Sequence, residues 1–444
     1  MNDDIIVAIA TSRLEAAISI IRLSGKDVIA FVQSFFTGKI IEKPTQTLTY
    51  GYLMDGNEKV DEVLVSIYRG THTFSGEEMV EINCHGGVYI THKVLQLCLS
   101  QGARMAEHGE FSKRAFLNGR IDLSQAEAIS DLITANNDEA AKIALKGIQG
   151  NISYFISDLK EDLIKIITQI EVNIDYPEYE DIEELTASSL LPEADQLRNK
   201  MERILKESKN MHLVKEGIST VIVGKPNVGK SSLLNALLEE EKAIVTEIAG
   251  TTRDIVEGSI RLDSLVLNMI DTAGIHKTTD RIENIGVEKS LSLISRADLV
   301  LLVLDGSKPL TQEDEDLLEK TAHTNRIVII NKADLGCVID VPGVAISAKN
   351  TDIHALTDYI RDSFDLGALS GENAQVLANA RQLQLLTQAS QSLDTAIQAM
   401  KDNIPTDLIV TDLYDSWNNL KEILGEQAKE DLLDELFKRF CIGK

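Results

Sequence analysis

Cysteine is scarce in this chain and poorly spaced for metal or disulfide work. Cys84, Cys98, Cys337 and Cys441 are the only four in 444 residues, and no two form a C-x-x-C pair. A zinc ribbon and a disulfide framework are thereby excluded, and free thiols fit a reducing cytosol. Positive charge is also short. Lys and Arg number 44 against 70 Asp and Glu, a formal net charge of −26. Such a chain is soluble and does not hold nucleic acid through its overall field, so any nucleic acid must meet a local basic patch or a basic partner. No apolar run approaches the length of a membrane span. Met1-Asn2-Asp3-Asp4 lacks a cationic n-region, so no secretory signal and a cytoplasmic location are expected. Internal repeats and low-complexity tracts are missing as well. The length suggests about three domains at roughly 150 residues each, ample for sizeable cores.

What is present is a phosphate-binding loop. Gly224-Lys225-Pro226-Asn227-Val228-Gly229-Lys230-Ser231 fits G-x-x-x-x-G-K-[ST]. The β-branched run Ile218 to Val223 predicts a buried strand before it, and Ser231 to Leu238 predicts a helix after it. A strand–loop–helix of this kind points backbone N–H groups at a polyphosphate. Val228, Gly229 and Ser232 belong to that cradle. Lys230 is expected on the β- and γ-phosphates and the Ser231 hydroxyl on Mg²⁺.

Three later motifs select guanine. Asp271-Thr272-Ala273-Gly274 follows the apolar run Val266 to Ile270. An aspartate at a strand end holds magnesium through water, and a glycine amide approaches the γ-phosphate. Asn331-Lys332-Ala333-Asp334 follows Ile327 to Ile330. A carboxylate there accepts both hydrogen bonds from the N1 and N2 side of guanine, and adenine has no matching donors. Ser347-Ala348-Lys349 follows a further short strand and backs the base with a main-chain N–H. Taken singly, each aspartate is an ordinary turn residue; four motifs in this order resemble a small Ras-like GTPase domain. Between them, Thr246-Glu247-Ile248-Ala249-Gly250-Thr251-Thr252-Arg253-Asp254 lies where such GTPases carry a magnesium-sensing switch, with Thr252 as a second hydroxyl ligand. Ile275 stands where Ras-like proteins place a water-orienting glutamine. Glu283 is a nearby carboxylate at the start of a helix-like stretch to Ile294, and by itself reads as a solvated helix residue.

Asn227, the loop from Thr246 to Asp254, Ile275 and Glu283 together resemble the MnmE (TrmE) family of tRNA modification GTPases. The resemblance continues outside this region. Ser19-Ile20-Ile21-Arg22-Leu23-Ser24-Gly25 is similar to the family's opening strand. Phe74-Ser75-Gly76-Glu77-Glu78 and Glu81-Ile82-Asn83-Cys84-His85-Gly86-Gly87 are similar to its next block. Gly109-Glu110-Phe111, Arg114 to Arg120 and Asp122 to Ala128 are similar to a third. The terminal Cys441-Ile442-Gly443-Lys444 resembles its C-terminal signature. His85-Gly86-Gly87 also echoes an esterase oxyanion loop, but no G-x-S-x-G accompanies it and a strand-to-helix turn is the better reading.

Periodicity divides the chain. Val60 to Tyr68 predicts a strand and Gly87 to Leu99 a helix. From about 119 the period becomes 3.6, with Ile152, Phe155, Ile156, Leu159, Leu163, Ile166, Ile167 and Ile170 on one face, until Tyr176-Pro177-Glu178 breaks it. A second helix is expected from Ser188 to Met211, and helical spacing resumes from Ala374 to Phe440. The expected fold is a multidomain α/β plus all-α chain. An N-terminal α/β domain spans 1–118, a split helical domain spans 119–215 and 373–444, and a Ras-like P-loop GTPase domain at 216–372 is inserted in it.

The resemblance implies a function. GTP is hydrolysed with Mg²⁺ while K⁺, held by Asn227 and by Thr246, Ile248 and Thr251, replaces an arginine finger, and Glu283 is the catalytic carboxylate. The N-terminal domain forms a homodimer and binds a tetrahydrofolate derivative, 5,10-methylene- or 5-formyl-, through Arg22, Glu81, Arg120 and Lys444. Where the family often has lysine, this chain has Arg120. Cys441 is a candidate catalytic thiol or a small apolar residue near the chain end. An FAD-containing partner (MnmG/GidA-like) completes a heterotetramer that adds a carboxymethylaminomethyl or aminomethyl group at C5 of the wobble uridine of certain tRNAs. The chain has no dinucleotide fingerprint, so FAD belongs to the partner. Two alternatives stay open: a ribosome-assembly-type RNA-associated GTPase switch, and a dimeric scaffold with a decayed GTPase. The absence of a second phosphate loop speaks against the first, and intact Lys230, Ser231, Asp271 and Asp334 against the second.

Overall fold

The structure is a computed structural model and describes residues 4–175, 187–208, 213, 217–239, 256–262, 265–270, 294, 296–364, 377, 379–438, 440 and 442–443. The chain begins with β1 (Ile6–Ile9), β2 (Ile18–Ser24), α1 (Val28–Gln33), β3 (Thr47–Asp55), β4 (Glu58–Tyr68), β5 (Met79–His85), α2 (Val88–Ser100), β6 (Arg104–Met105) and α3 (Glu110–Leu117). Four helices follow: α4 (Leu123–Thr134), α5 (Asp138–Ile148), α6 (Asn151–Asp175) and α7 (Ala187–Ser208). Next come β7 (Ile218–Val223), α8 (Lys230–Glu239), β8 (Val256–Leu262), β9 (Leu265–Ile270), β10 (Leu299–Asp305), α9 (Gln312–Lys320), β11 (Arg326–Asn331), β12 (Val344–Ala345) and α10 (His354–Ser363). The chain ends in α11 (Ala380–Lys401), α12 (Thr406–Leu424) and α13 (Glu430–Phe437). Two compact units result. One comprises Met1–Thr134, Ala144–Met201 and Gln384–Lys444; the other comprises Ala135–Ile143 and Glu202–Leu383.

In the first unit six strands form one sheet, ordered β3-β4-β5-β2-β1-β6. The strand at Ile6–Ile9 precedes the one expected from Ser19, and pairs antiparallel with it. Alternation sends Ile21, Leu23, Val63, Val65, Ile67, Val80 and Ile82 into a core with Val28 and Val32 of α1 and Val94 and Cys98 of α2. The opposite face keeps Ile18, Leu48, Tyr50 and Leu64 exposed, with Tyr50 opposite Leu64 and Ile18 opposite His85. His85-Gly86-Gly87 is the strand-to-helix turn between β5 and α2.

The helices of this unit follow the 3.6 pattern. Ile156, Leu159, Leu163, Ile166, Ile167 and Ile170 of α6 are buried, and α6 packs along α12. The expected helical stretch to Phe440 is cut twice. Asn403 takes φ 55 just before Pro405, and Gly425 takes φ 80 at the end of α12. A Cβ on Gly425 would sit 2.9 Å from Leu123 Cβ and from the Phe116 ring. The C-terminal residues return to the sheet. Leu433, Phe437 and Phe440 pack with Leu123, Ala126 and Phe116, and Ile442 bridges to His108. Gly443 at φ +90 lies so close that a Cβ would meet Ile9 O at 2.7 Å.

In the second unit β7, β9, β10, β11 and β12 run parallel in a sheet ordered β12-β11-β10-β7-β9-β8, with β8 antiparallel at one edge. Parallel strands covered on both faces need unbroken apolar runs. β10 supplies one: Leu301 and Val303 enter one core, Val300, Leu302 and Leu304 the other.

Arg114, 7% exposed, is the charged pin of the first unit. It reaches Asp4 at 2.6 Å, Glu77 at 3.2 Å and Glu110 at 3.2 Å. Burial pushes the Glu110 carboxyl up, but Arg104, the Glu107 amide and Arg114 pull it below its ordinary value; Asp4 is held low in the same way by Arg104 and Arg114. Depressed carboxylates add stability that is full above their unfolded pKa, about 4, and lost as pH falls through the folded value. Arg114→Met should therefore cost about 3 kcal/mol in urea titration at neutral pH, because it takes a buried guanidinium away from the buried Glu110 and the partly exposed Asp4 and Glu77. The loss should shrink below about pH 4, where those groups take up protons. An equal loss at both pH values would contradict this role.

Candidate functional site

The phosphate loop follows β7 at the carboxyl edge of the parallel sheet, between β9 and β10, where open α/β sheets bind ligands. Ile218–Val223 forms that strand, and α8 begins at Lys230. Two features fix the loop's path. Asn227 takes φ 65, a left-handed conformation that asparagine tolerates. Gly229 takes φ +102, and a Cβ there would lie 2.2 Å from Asn331 Nδ2. Lys230 Nζ donates to Gly224 O at 2.7 Å and to Lys225 O at 2.8 Å, so it is coiled inside the loop. Burial pushes its ammonium below the ordinary lysine value. Ser231 and Ser232 stand in the first turn of α8.

Asn331, 2% exposed at the end of β11, joins the phosphate loop to the base loop. Its Nδ2 donates to Val228 O at 2.8 Å, and its Oδ1 accepts from Ala348 N at 3.0 Å. Ser347 Oγ donates to Asp334 Oδ1 at 2.7 Å, which orients an otherwise exposed carboxylate. Lys332 takes φ 64 and donates Nζ to Asn227 O at 2.9 Å and to Asp305 Oδ2 at 2.6 Å. Burial raises Asp305, but Lys332 and Ser307 bring it below its ordinary value. The Asn227 side chain and Lys349 face solvent. The structure thus brings together Asn227, Val228, Gly229, Lys230, Asn331, Lys332, Asp334, Ser347 and Ala348. Thr246, Ile248, Thr251, Thr252, Asp271, Thr272, Ala273, Gly274, Ile275 and Glu283 lie outside the described residues.

A second constellation sits on the other face of the first unit's sheet, where Phe74, Phe111 and Ile442 cover part of it. Arg22 and Glu81 are register partners on β2 and β5. Arg22 Nε donates to Glu81 Oε1 at 2.9 Å, and its Nη1 donates to Gly443 O at 2.9 Å. The guanidinium carbon stands 5.3 Å from the Phe74 ring centroid and 5.9 Å from that of Phe111. Tyr68 Oη donates to Glu81 Oε2 at 3.2 Å, and burial beside that carboxylate raises the phenol's pKa. Arg120 is exposed after α3, its backbone amide bonded to Ala115 O at 2.8 Å. Cys441 and Lys444 lie outside the described residues.

Two family models match the chain: the MnmE helical domain over residues 123–441 and the GTP-binding protein TrmE N-terminus over residues 5–120. A tRNA modification GTPase MnmE of Ligilactobacillus salivarius is 45% identical, covering 99% of this chain and 98% of the relative. One of Bacillus cereus is 46% identical over the whole of both chains. The chain belongs to the MnmE (TrmE) family of tRNA modification GTPases. Among solved structures, the FeoB G-domain of Methanococcus jannaschii is 22% identical, covers 33% of this chain and 97% of its own, and has a TM-score of 0.24. That of T. maritima is 25% identical, covers 34% and 98%, and has the same TM-score. Scores this low carry no weight for the fold.

Three residues of these two constellations in the MnmE-family chain escape motif reading. Asp305 ends a strand as Asp271 was expected to, and that position was its one signal. Lys225 fills a variable place in the phosphate-loop pattern, and its partner Thr311 is 86 residues away. Tyr68 closes a strand and meets Glu81 only through the β4–β5 pairing. The oriented Asp334 carboxylate gives a direct expectation. Asp334→Asn should weaken GTP binding by roughly one to two orders of magnitude, the worth of lost charged hydrogen bonds, and admit xanthosine nucleotides. Isothermal titration with both nucleotides tests it; unchanged GTP affinity would remove Asp334 from the base site.

Proposed function

We propose that the chain binds GTP at the loops joined by Asn331 and hydrolyses it to GDP and phosphate. This activity serves modification of the wobble uridine of certain tRNAs. The observation that carries the reading is Asn331 itself: one buried amide holds Val228 O of the phosphate loop and Ala348 N of the base loop. A polyphosphate and a guanine are then recognised at a fixed separation. Lys230, now bonded to two loop carbonyls, has its ammonium within the loop that receives the β- and γ-phosphates. The loop glycines fit that use, because the Gly229 position has no room for a side chain.

Magnesium, held by the hydroxyls of Ser231 and Thr252, would neutralise charge on the phosphate oxygens. Potassium, held by Asn227, Thr246, Ile248 and Thr251, would offset charge developing in the transition state. For Asn227 the fit rests on a left-handed backbone, a carbonyl gripped by Lys332 and a side-chain amide left in solvent. Glu283 orients the attacking water, since Ile275 has no group to do so.

The reading extends to the first unit. A tetrahydrofolate derivative, 5,10-methylene- or 5-formyl-, binds beside Arg22, Glu81, Arg120 and Lys444. Arg22 and Glu81 already pair with each other, so the folate must extend or compete with that pair. A homodimer is supported by the open sheet face, whose exposed Leu48, Tyr50, Leu64 and Ile18 suit burial. The architecture is a helical domain, 119–215 and 373–444, with the GTPase domain at 216–372 inserted in it. An FAD-bearing partner joins to add a carboxymethylaminomethyl or aminomethyl group at uridine C5 in the cytoplasm. Mass spectrometry of wobble nucleosides from cells lacking this chain tests the reading: loss of the C5 group is expected, and an unaltered nucleoside profile would sink it.

Two expectations concern catalysis. Potassium should accelerate hydrolysis strongly over sodium at equal ionic strength, and Asn227→Ala should remove most of that difference with nucleotide binding nearly intact. Equal rates in both salts for the native chain would exclude the monocation role. Glu283→Ala should lower single-turnover hydrolysis by roughly two to four orders of magnitude with GTP affinity unchanged. A fall of less than about fivefold would leave Glu283 a solvated helix residue.

A further inference from the structure

Lys225 occupies a variable place in the phosphate-loop motif, yet its side chain is tied to the start of α9. Its Nζ lies 2.5 Å from Asp314 Oδ2 and donates to Thr311 Oγ1 at 2.6 Å. Asp314 is 4% exposed, a buried carboxylate at the third position of α9. It also accepts Thr311 N and Thr311 Oγ at 2.9 Å each, a capping box that fixes where α9 begins. Burial raises this carboxyl, but Lys225 and the two Thr311 donors bring it below its ordinary value. A capping box alone needs no lysine. The lysine fastens a phosphate-loop residue to a helix end 86 residues away in the chain.

The other end of Lys225 shows what that fastening serves. Its backbone carbonyl is one of the two acceptors that hold Lys230 Nζ, at 2.8 Å. Two residues later Asn227 bends into the left-handed region, and its own carbonyl is pinned by Lys332. The stretch 225–227 is therefore clamped from both sides. Lys225 fastens its start to α9, and Lys332 fastens its end to β10 through Asp305. Between the clamps lie the carbonyl that receives Lys230 and the side chain that faces solvent at Asn227.

We propose that Lys225 is a positioning residue for GTP hydrolysis: by its ion pair with Asp314 it fixes the start of the phosphate loop, and so sets where Lys230 and Asn227 stand. It touches neither nucleotide nor ion in this role. Small displacements of groups that align a reaction cost far more rate than ground-state affinity. The inference rests on the hydrolysis reading above.

The test compares Lys225→Met, Lys225→Arg, Asp314→Asn and the double variant Lys225→Met/Asp314→Asn in the full-length chain. Each is measured for GDP affinity, for kcat at saturating GTP and for the potassium concentration giving half-maximal rate. Lys225→Met should lower kcat about tenfold and raise the half-activating potassium concentration, with GDP affinity changed less than about threefold. Lys225→Arg should restore most of the rate, since it keeps the charge. The double variant should be no worse than Lys225→Met, since both remove one link. A Lys225→Met chain with native kcat and native potassium response overturns the proposal, as does a double variant whose losses multiply. Should Lys225→Met fold poorly, Asp314→Asn probes the same link from the helix side, and a native rate there also overturns it. A native chain without GTPase activity would instead refute the hydrolysis reading.

Discussion

The site in the second unit depends on one buried amide. Asn331 can donate and accept at once, and it uses both capacities on backbone atoms of different loops. Without it, Val228 O and Ala348 N would each lose a partner in a place closed to water, and unsatisfied buried backbone groups are costly. The amide also explains the glycine beside it. A side chain at position 229 would occupy the space of Asn331 Nδ2, at 2.2 Å. Loop composition and base-loop composition are thus one constraint seen from two ends.

Around that amide, lysines act as ties. Lys332 and Lys225 each run from the loop region to a carboxylate fixed by its own hydrogen bonds, Asp305 through Ser307 and Asp314 through Thr311. In a chain with a formal charge of −26, cations are outnumbered by carboxylates. These two are committed to shaping the loop, which leaves Lys230 as the cation coiled within it. The same economy appears in the first unit, where Arg22, Arg104 and Arg114 are all spent on carboxylates and carbonyls.

The first unit relies on a different device, the return of the chain end. Gly109 and Gly443, both at positive φ, let backbone approach backbone where a Cβ would collide with Phe437 O or Ile9 O. Phe437 and Phe440 then fill the space between α3, α4 and the tail. Arg22, on β2, reaches the Gly443 carbonyl. A single guanidinium so links a strand near the start of the sequence to its final residues, beside the Phe74 and Phe111 rings.

Sequence alone determined whatever depends on local period or on a fixed motif. Ile218–Val223 was legible as a strand because an unbroken β-branched run suits a buried parallel position. α6 was legible because its apolar residues recur on one helical face. Lys230, Asn331 and Asp334 were legible because phosphate and guanine impose residue types at set spacings, and Asn227 only through the family resemblance. The two breaks at Asn403 and Gly425 were not, because a single left-handed residue leaves the apolar period on either side intact. Only tertiary structure decided which side chains are already engaged. Glu81 and Arg22 read as free ligand groups until the β2–β5 register set them against each other and Tyr68. Lys225 carried no signal in the sequence, and its pairing with Asp314 came only when the loop and α9 met. Sequence fixes the identity and order of charged groups, but a salt bridge needs a distance of a few ångströms, and across dozens of residues only the packed sheets and helices supply it.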